Sequence, residues 1–417
     1  MTVRIGVVGG GFVAGFHLRA LTAVRGVEVA GLASRTAPEG LAAFVREHEL
    51  GEGRIYESVA ELALNCDVVA LFAPNFTRLA VMEELVKATK TGARLQALVC
   101  EKPLARNVAE ARRVAAMARE IGAPTAYFEN QIYLPTLRAA RTQLGAVAGK
   151  MGPLHLARAA EEHSGPHNSW FWDPTQQGGG VLSDMGCHSI AVGWYLLTPV
   201  GKPIDHLRPV RVQAELGLLK WGQPQWSAAL KDRFGVDYQN APAEDFATGT
   251  VTFHNPETDH YSLAQFTVSW MYDKQGLRLL IDGLGPGYAV EVNTLRSPLE
   301  IFIGAEAATE VADAELALEK STASQGLLAV HPNEPELYGY VEEWRDLLEA
   351  LATGRPPLLD WDYGVEIVRL TMAAYLAAEE KRVVDLTDPA TNDHLENYVP
   401  LIQQGRGAET LLLPGRR

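Results

Sequence analysis

Apolar positions fall along the first third of this chain in two alternating rhythms. Mainly apolar runs at Val3 to Val8, Val27 to Ala33, Asp67 to Ala73, Leu95 to Cys100 and Thr125 to Phe128 are short and bounded, as buried strands are. Between them Val13, Phe16, Ala20, Leu21 and Val24 recur at helical spacing, and the segments Leu79 to Lys87 and Val108 to Ile121 read as further helices. Strands alternating with helices predict a parallel sheet with right-handed crossovers, an α/β domain over residues 1–128. The pattern then changes. Val210 to Leu219, Thr248 to Phe253, Ser262 to Trp270, Leu277 to Asp282 and Tyr288 to Val292 show the partial alternation of half-buried strands. Helices are predicted at Val181 to Leu197, Glu336 to Thr353 and Tyr363 to Glu380, with irregular stretches at Lys220 to Glu244 and Ala323 to Pro335. A second domain at 129–388 and a tail at 389–417, mobile from Gly405 onward, complete the division.

The first strand runs into Gly9-Gly10-Gly11, and Gly9, Gly11 and Ala14 fit the spacing G-x-G-x-x-G/A. In that pattern the first glycine makes a tight turn, the second admits a pyrophosphate, and the small third residue packs helix on strand. Phe12 and Val13 open the helix, whose free amides and positive dipole end face the phosphates. The second strand ends at Ser34-Arg35-Thr36, where the adenosine ribose is met. An arginine with two hydroxyls suits a 2′-phosphate better than bare ribose hydroxyls, so NADP is expected ahead of NAD. Arg35 stacked on adenine or turned to solvent is the other reading.

Composition narrows the partners. The chain has 417 residues and a net charge of −14, which repels nucleic-acid phosphates and anionic lipid alike. Three widely spaced cysteines, Cys66, Cys100 and Cys187, argue for a reducing compartment rather than a disulfide framework. No apolar run approaches a membrane span and no leader is evident, so a cytoplasmic protein acting on small molecules is expected.

Ligands of parallel sheets bind at the carboxyl ends of the strands, which brings the Gly9 turn, Pro74-Asn75 and Glu101-Lys102-Pro103 towards one crevice. Pro103 keeps Lys102 extended at a strand end, where a lysine beside a cationic nicotinamide has a lowered pKa and can carry a proton. A solvated Lys102 paired with Glu101 fits the spacing equally well.

Together Gly9-x-Gly11-x-x-Ala14, Pro74-Asn75, Glu101-Lys102-Pro103 and Asp184-x-x-x-His188 resemble the Gfo/Idh/MocA family of sugar and cyclitol oxidoreductases. The resemblance covers the first ~200 residues. It implies a Rossmann domain followed by an α+β domain with a large, mostly antiparallel open sheet that serves oligomerisation, as a homodimer or homotetramer. It also implies hydride transfer between a nicotinamide and a hydroxyl-bearing carbon, with Lys102, Asp184 and His188 at the catalytic positions. One departure is Arg78, where many members carry a histidine three residues after the asparagine of the Pro-Asn turn.

Asp184 and His188, four apart, share a helix face on which the carboxylate can orient the imidazole. Without the resemblance such a pair reads more often as a satisfied helix contact. Upstream, Glu161 to Asp173 gathers His163, His167, Trp170 and Trp172, a loop suited to stacking on sugar rings and binding hydroxyls; the other reading has Trp170, Phe171 and Trp172 anchoring the loop in the core, as at least one of them is expected to do. Asn130 follows the last strand of the first domain and is a further substrate candidate beside domain-junction bonding. His163 and His167 are interrupted by Gly165-Pro166, and no metal is expected. Two other activities share these features: glycoside cleavage through transient oxidation, and non-catalytic sensing of a sugar or dinucleotide.

Overall fold

The protein was analysed as a computed structural model that describes residues 2–36, 38–274, 276–294, 300–303, 326–329 and 333–412. It divides into two compact units, Met1–Pro135 with Pro335–Val368, and Thr136–Glu334 with Arg369–Arg417.

In the first unit five parallel strands, β1 (Val3–Val8), β2 (Val27–Ala33), β3 (Val68–Leu71), β4 (Ala97–Glu101) and β5 (Thr125–Phe128), lie in the order β2-β1-β3-β4-β5. Helices α1 (Phe12–Leu21), α2 (Glu39–Glu47), α3 (Val59–Ala63), α4 (Arg78–Lys90) and α5 (Val108–Ile121) connect them. Every residue of β3 and β4 is buried, because a parallel sheet covered on both faces exposes no polar side. The unit also recruits the helix Tyr340–Thr353, whose Trp344 is fully buried against Phe72 and Phe128. Trp361 is tied to β5 by its indole N–H donating to the Ala126 carbonyl. The chain therefore returns to this unit near its end, where the sequence division had assigned residues 335–368 to the second domain.

The second unit is built on seven strands in one mixed sheet. Its members are β6 (Leu156–Glu162), β7 (Arg208–Gly217), β8 (Phe246–Asn255), β9 (His260–Ser269), β10 (Arg278–Gly285) and β11 (Tyr288–Asn293), with a two-residue edge at Val384–Asp385. The order runs β11-β10-β6-β9-β8-β7 and then the edge; β6 pairs parallel with β9 and every other pair is antiparallel. This is the large, mostly antiparallel sheet that was expected, with a central strand, β6, that the sequence pattern did not reveal. Helices α6 (Pro135–Met151), α7 (Ser169–Trp172), α8 (Pro174–Gln177) and α9 (Cys187–Leu197) accompany it. All of α9 is buried, and it lies across β6 and β9.

The expected C-terminal tail departs from its description. Pro389–Asn397 is a helix capped by Asp388, and Leu412 exchanges backbone hydrogen bonds with Leu216 and Leu218. Buried Ile402 and Leu411 hold this segment down, so through Leu412 it is part of the second unit; residues 413–417 lie outside the described set. Within the stretch expected to be irregular, Ala323 to Pro335, Gly326–Ala329 is instead a strand paired antiparallel with Glu300–Ile303, while residues 323–325 and 330–332 lie outside the described set. All three cysteines are buried and none forms a disulfide. No helix among the described residues is long and apolar enough to cross a membrane.

Candidate active site

Gly9 is the turn after β1. Its φ of +131° is closed to side-chain-bearing residues, and a Cβ there would stand 2.8 Å from the Ala73 amide nitrogen and the Phe72 carbonyl carbon. Gly11 is different. It caps α1 with ordinary extended backbone, and a Cβ there would meet nothing within 4 Å. The first glycine is required by the chain itself, whereas the open space before the second is room for something the chain does not supply. No acidic residue stands in the first turn of α1 and no side chain caps it, so the positive end of its dipole carries no side-chain counter-charge; Phe12 is exposed and Val13 half-buried. These residues fit a dinucleotide's pyrophosphate. Ser34 and Thr36 close the neighbouring edge, their hydroxyls 3.3 Å apart, and the Ser34 hydroxyl would lie 2.7 Å from a Cβ on Gly10. Arg35 between them is exposed.

The two glycines make a paired prediction. Gly9→Ala should destabilise the protein by about 2 kcal/mol or more through backbone strain. Gly11→Ala should unfold within about 0.5 kcal/mol of wild type, yet bind dinucleotide at least ~10-fold more weakly. Thermal unfolding beside a fluorescence titration with NADH separates the two; equal destabilisation would defeat the distinction.

At the end of β4, Lys102 is half-buried and its backbone is pinned twice, its N–H donating to the Phe128 carbonyl (3.2 Å) and to Oε2 of Glu101 (3.0 Å). Glu101 is buried and its Oε1 lies 2.8 Å from His17 Nε2. The other nitrogen of His17 lies 3.1 Å from Trp344 Nε1. An indole N–H only donates, so His17 Nδ1 accepts, the ring proton sits on Nε2, and Glu101 receives it. Burial lowers the His17 pKa, which keeps this ring neutral. Glu343 lies 3.7 Å from Nδ1 and is fully buried; desolvation, then the charges of Glu101 and Glu129, raise its pKa well above the carboxylate range. His17, Glu101 and Glu343 stand close enough to hold a metal ion, but both imidazole nitrogens are already engaged. Sequence reading missed His17 altogether, since its partners lie 84 and 327 residues away.

Pro74 is half-buried and Asn75 buried in a single 3₁₀ turn before α4, and Arg78, the first residue of α4, is buried too. Asn130 is buried with its amide donating to the Tyr338 carbonyl at 2.8 Å. Both residues belong to the first unit, so this bond is internal to it and is not the junction contact between domains that was the other reading of Asn130.

In the second unit Asp184 lies in a π-helical turn, Leu182–Gly186, that runs directly into α9 and His188. Both side chains are buried. The wider turn replaces the regular helix expected over Val181 to Leu197, and such turns are common where a helix serves a ligand. Glu244 secures it. Oε1 of Glu244 accepts from the Gly180 amide (2.9 Å), the Leu182 amide (3.0 Å) and the Tyr375 hydroxyl (2.6 Å), while the Glu244 carbonyl accepts from the Val181 amide (3.0 Å). A Cβ on Gly180 would collide with that carbonyl, which explains part of the triple glycine before the turn. Glu244 is fully buried, and desolvation pushes its carboxyl up to about 7 against the pull of its donors. In the sequence Glu244 is only the last residue of the stretch expected to be irregular, Lys220 to Glu244, with nothing to mark this role.

The aromatic loop is partly corrected. Trp172, expected to stack on substrate, is 1% exposed, donates its indole N–H to the Pro166 carbonyl (3.0 Å) and is enclosed by Trp221 and Trp270. No ring face remains for a sugar. Trp170 is half-buried and stacked on Phe171, and His167 is half-buried. His163 is buried at the end of β6, its Nδ1 accepting from the Gly165 amide (2.9 Å).

Residues 3–127 match the family described as "Oxidoreductase family, NAD-binding Rossmann fold", and residues 143–284 match the "GFO/IDH/MocA C-terminal domain". Curated relatives include the D-glucoside 3-dehydrogenase of Escherichia coli, 28% identical over 196 residues, 46% of this chain and 50% of that protein. Another is the 1,5-anhydro-D-fructose reductase of Ensifer adhaerens, 30% identical over 188 residues, 44% of this chain and 54% of that protein. The chain thus spans about half the length of the curated relatives it matches. Among solved structures, GenD2 from gentamicin A biosynthesis in complex with NAD superimposes with a TM-score of 0.71 at 25% identity, covering 92% of this chain and 96% of that one.

Proposed function

Because the chain belongs to the Gfo/Idh/MocA oxidoreductase family, with its NAD-binding Rossmann domain, we propose that it transfers hydride between a nicotinamide and a hydroxyl-bearing carbon of a sugar, sugar derivative or cyclitol. The main support is Lys102, whose backbone N–H makes two hydrogen bonds, to the Phe128 carbonyl and the Glu101 carboxylate, at the carboxyl end of β4 in the sheet that carries the Gly9 turn. When bound, the nicotinamide supplies the hydride acceptor or donor. The chain's own task is the hydroxyl proton. His188 is assigned as the group that takes it, Asp184 as the group that orients His188, and Lys102 as the ammonium that polarises the same oxygen or relays the proton. His163, His167 and Trp170 are assigned to the substrate's hydroxyls and ring; Trp172 acts only as their anchor. As assembly we propose a homodimer or homotetramer, supported by the exposed Tyr261 and Leu263 on one face of β9.

The test is a panel of sugars, cyclitols and glycosides supplied with NAD and NADP in parallel, following absorbance of reduced cofactor and release of aglycone. Reduced cofactor in proportion to substrate supports the reading. Aglycone released without net reduction, or a cofactor that no sugar reduces, overturns it. Ser34, Arg35 and Thr36 are the proposed 2′-phosphate contacts, so NADP is the proposed cofactor ahead of NAD. Arg35→Ala should weaken NADP by about tenfold or more and leave NAD nearly unchanged, read by fluorescence titration. An equal loss for both would remove the phosphate assignment.

A further inference from the structure

One buried cation of the first unit has no anion beside it among the described residues. Arg78 is 3% exposed, and its Nε and Nη1 are enclosed without a hydrogen-bond partner among the described residues. Its guanidinium lies against the Cys100 thiol, which burial pushes up to about 11, so the sulfur is a neutral neighbour. The first turn of α4 carries no acidic residue, and a helix N-terminus adds positive potential. Glu101, next to Cys100, has its two oxygens engaged by His17 and by the Lys102 amide. A guanidinium enclosed in this way costs several kcal/mol of desolvation that a neutral thiol does not return.

The missing charge is best supplied from outside the chain. Arg78 follows β3, and the carboxyl edge of a parallel sheet is where ligands are met. The pyrophosphate of a dinucleotide has its own donors at the N-terminus of α1, and the nicotinamide end of an oxidised cofactor offers no negative charge. A planar guanidinium is matched in shape and charge by a carboxylate. Resting on the hydride-transfer reading above, we infer that Arg78 selects a carboxylate on the substrate, which makes the substrate a sugar acid such as a uronate or aldonate.

The experiment compares glucose with glucuronate, galactose with galacturonate, and glucose with gluconate, using wild type, Arg78→Gln and Arg78→Lys with saturating NAD or NADP. Wild type should prefer the acid at least ~10-fold in kcat/KM, and Arg78→Gln should lower that preference about a hundredfold, with Arg78→Lys between them. Calorimetric titration of each acid into the NADH-saturated protein gives a second readout independent of turnover. A third is stability: Arg78→Met should melt a few degrees above wild type without ligand, since it removes an uncompensated buried charge. The inference is overturned if neutral sugars serve as well as their acids, or if no acid is either bound or turned over. It is equally overturned if Arg78→Gln weakens the dinucleotide instead, or if Arg78→Met melts lower, which would reveal an internal partner. Acids bound through Arg78 but never oxidised would leave the inference standing and defeat the dehydrogenase reading. Neutral sugars oxidised in preference would do the reverse.

Discussion

Lys102→Ala is expected to lower kcat by at least a hundredfold, within the range of a lost proton-transfer group, while dinucleotide affinity changes by less than about threefold. Two features make this a clean substitution. The Lys102 backbone is fixed by the Phe128 carbonyl and the Glu101 carboxylate, so truncation beyond Cβ leaves the strand end in place. The pyrophosphate cradle at Gly9 and Gly11 belongs to a different strand end, so cofactor binding reads out the fold of the unit independently of the chemistry. Lys102→Arg sharpens the test: it keeps a positive charge but cannot release a proton near neutrality. If polarisation of the oxygen is the whole contribution, arginine retains much of the activity; if the amine relays the proton, arginine fails almost as badly as alanine. Full activity in Lys102→Ala would remove this residue from the reaction.

The sequence was most legible where the chain is most buried. The strands of the first unit read as mainly apolar runs because both faces of a parallel sheet are covered, and Pro103 marks the strand end at Lys102. β6 stayed hidden for the opposite reason. Its sequence, Leu156-Ala-Arg-Ala-Ala-Glu-Glu162, is made of helix formers, and only its neighbours β9 and β10 hold it extended. Trp172 shows the limit of composition: at least one indole or ring of this polar loop is expected to anchor it, but which one is decided only by Trp221 and Trp270, far along the chain, which turn Trp172 inward. His17 and Glu244 lie deeper still. Each does its work through partners dozens to hundreds of residues away, and nothing in the adjoining sequence distinguishes either from an ordinary helix or loop residue.

Glu244→Ala should be the most damaging change in the second unit. It removes one acceptor that serves three buried donors, the Gly180 and Leu182 amides and the Tyr375 hydroxyl. Buried donors left unmade cost about 1–3 kcal/mol each when water cannot replace the partner, so a loss of roughly 3–5 kcal/mol is expected. The same bonds hold the start of the turn that carries Asp184, with His188 one turn on, so activity should fall with stability even in protein that remains folded. Glu244→Gln tests the charge alone. The Glu244 carboxyl is raised from 4.5 to about 7, so the fold favours its protonated form. That contribution is complete below about pH 4.5 and is lost as pH climbs through about 7. Wild type should therefore lose up to roughly 3 kcal/mol relative to Glu244→Gln between pH 4.5 and 8, since glutamine does not titrate. Denaturant unfolding of both proteins across that range measures the gap; a gap independent of pH would mean that the three donors, rather than burial, set the charge of Glu244.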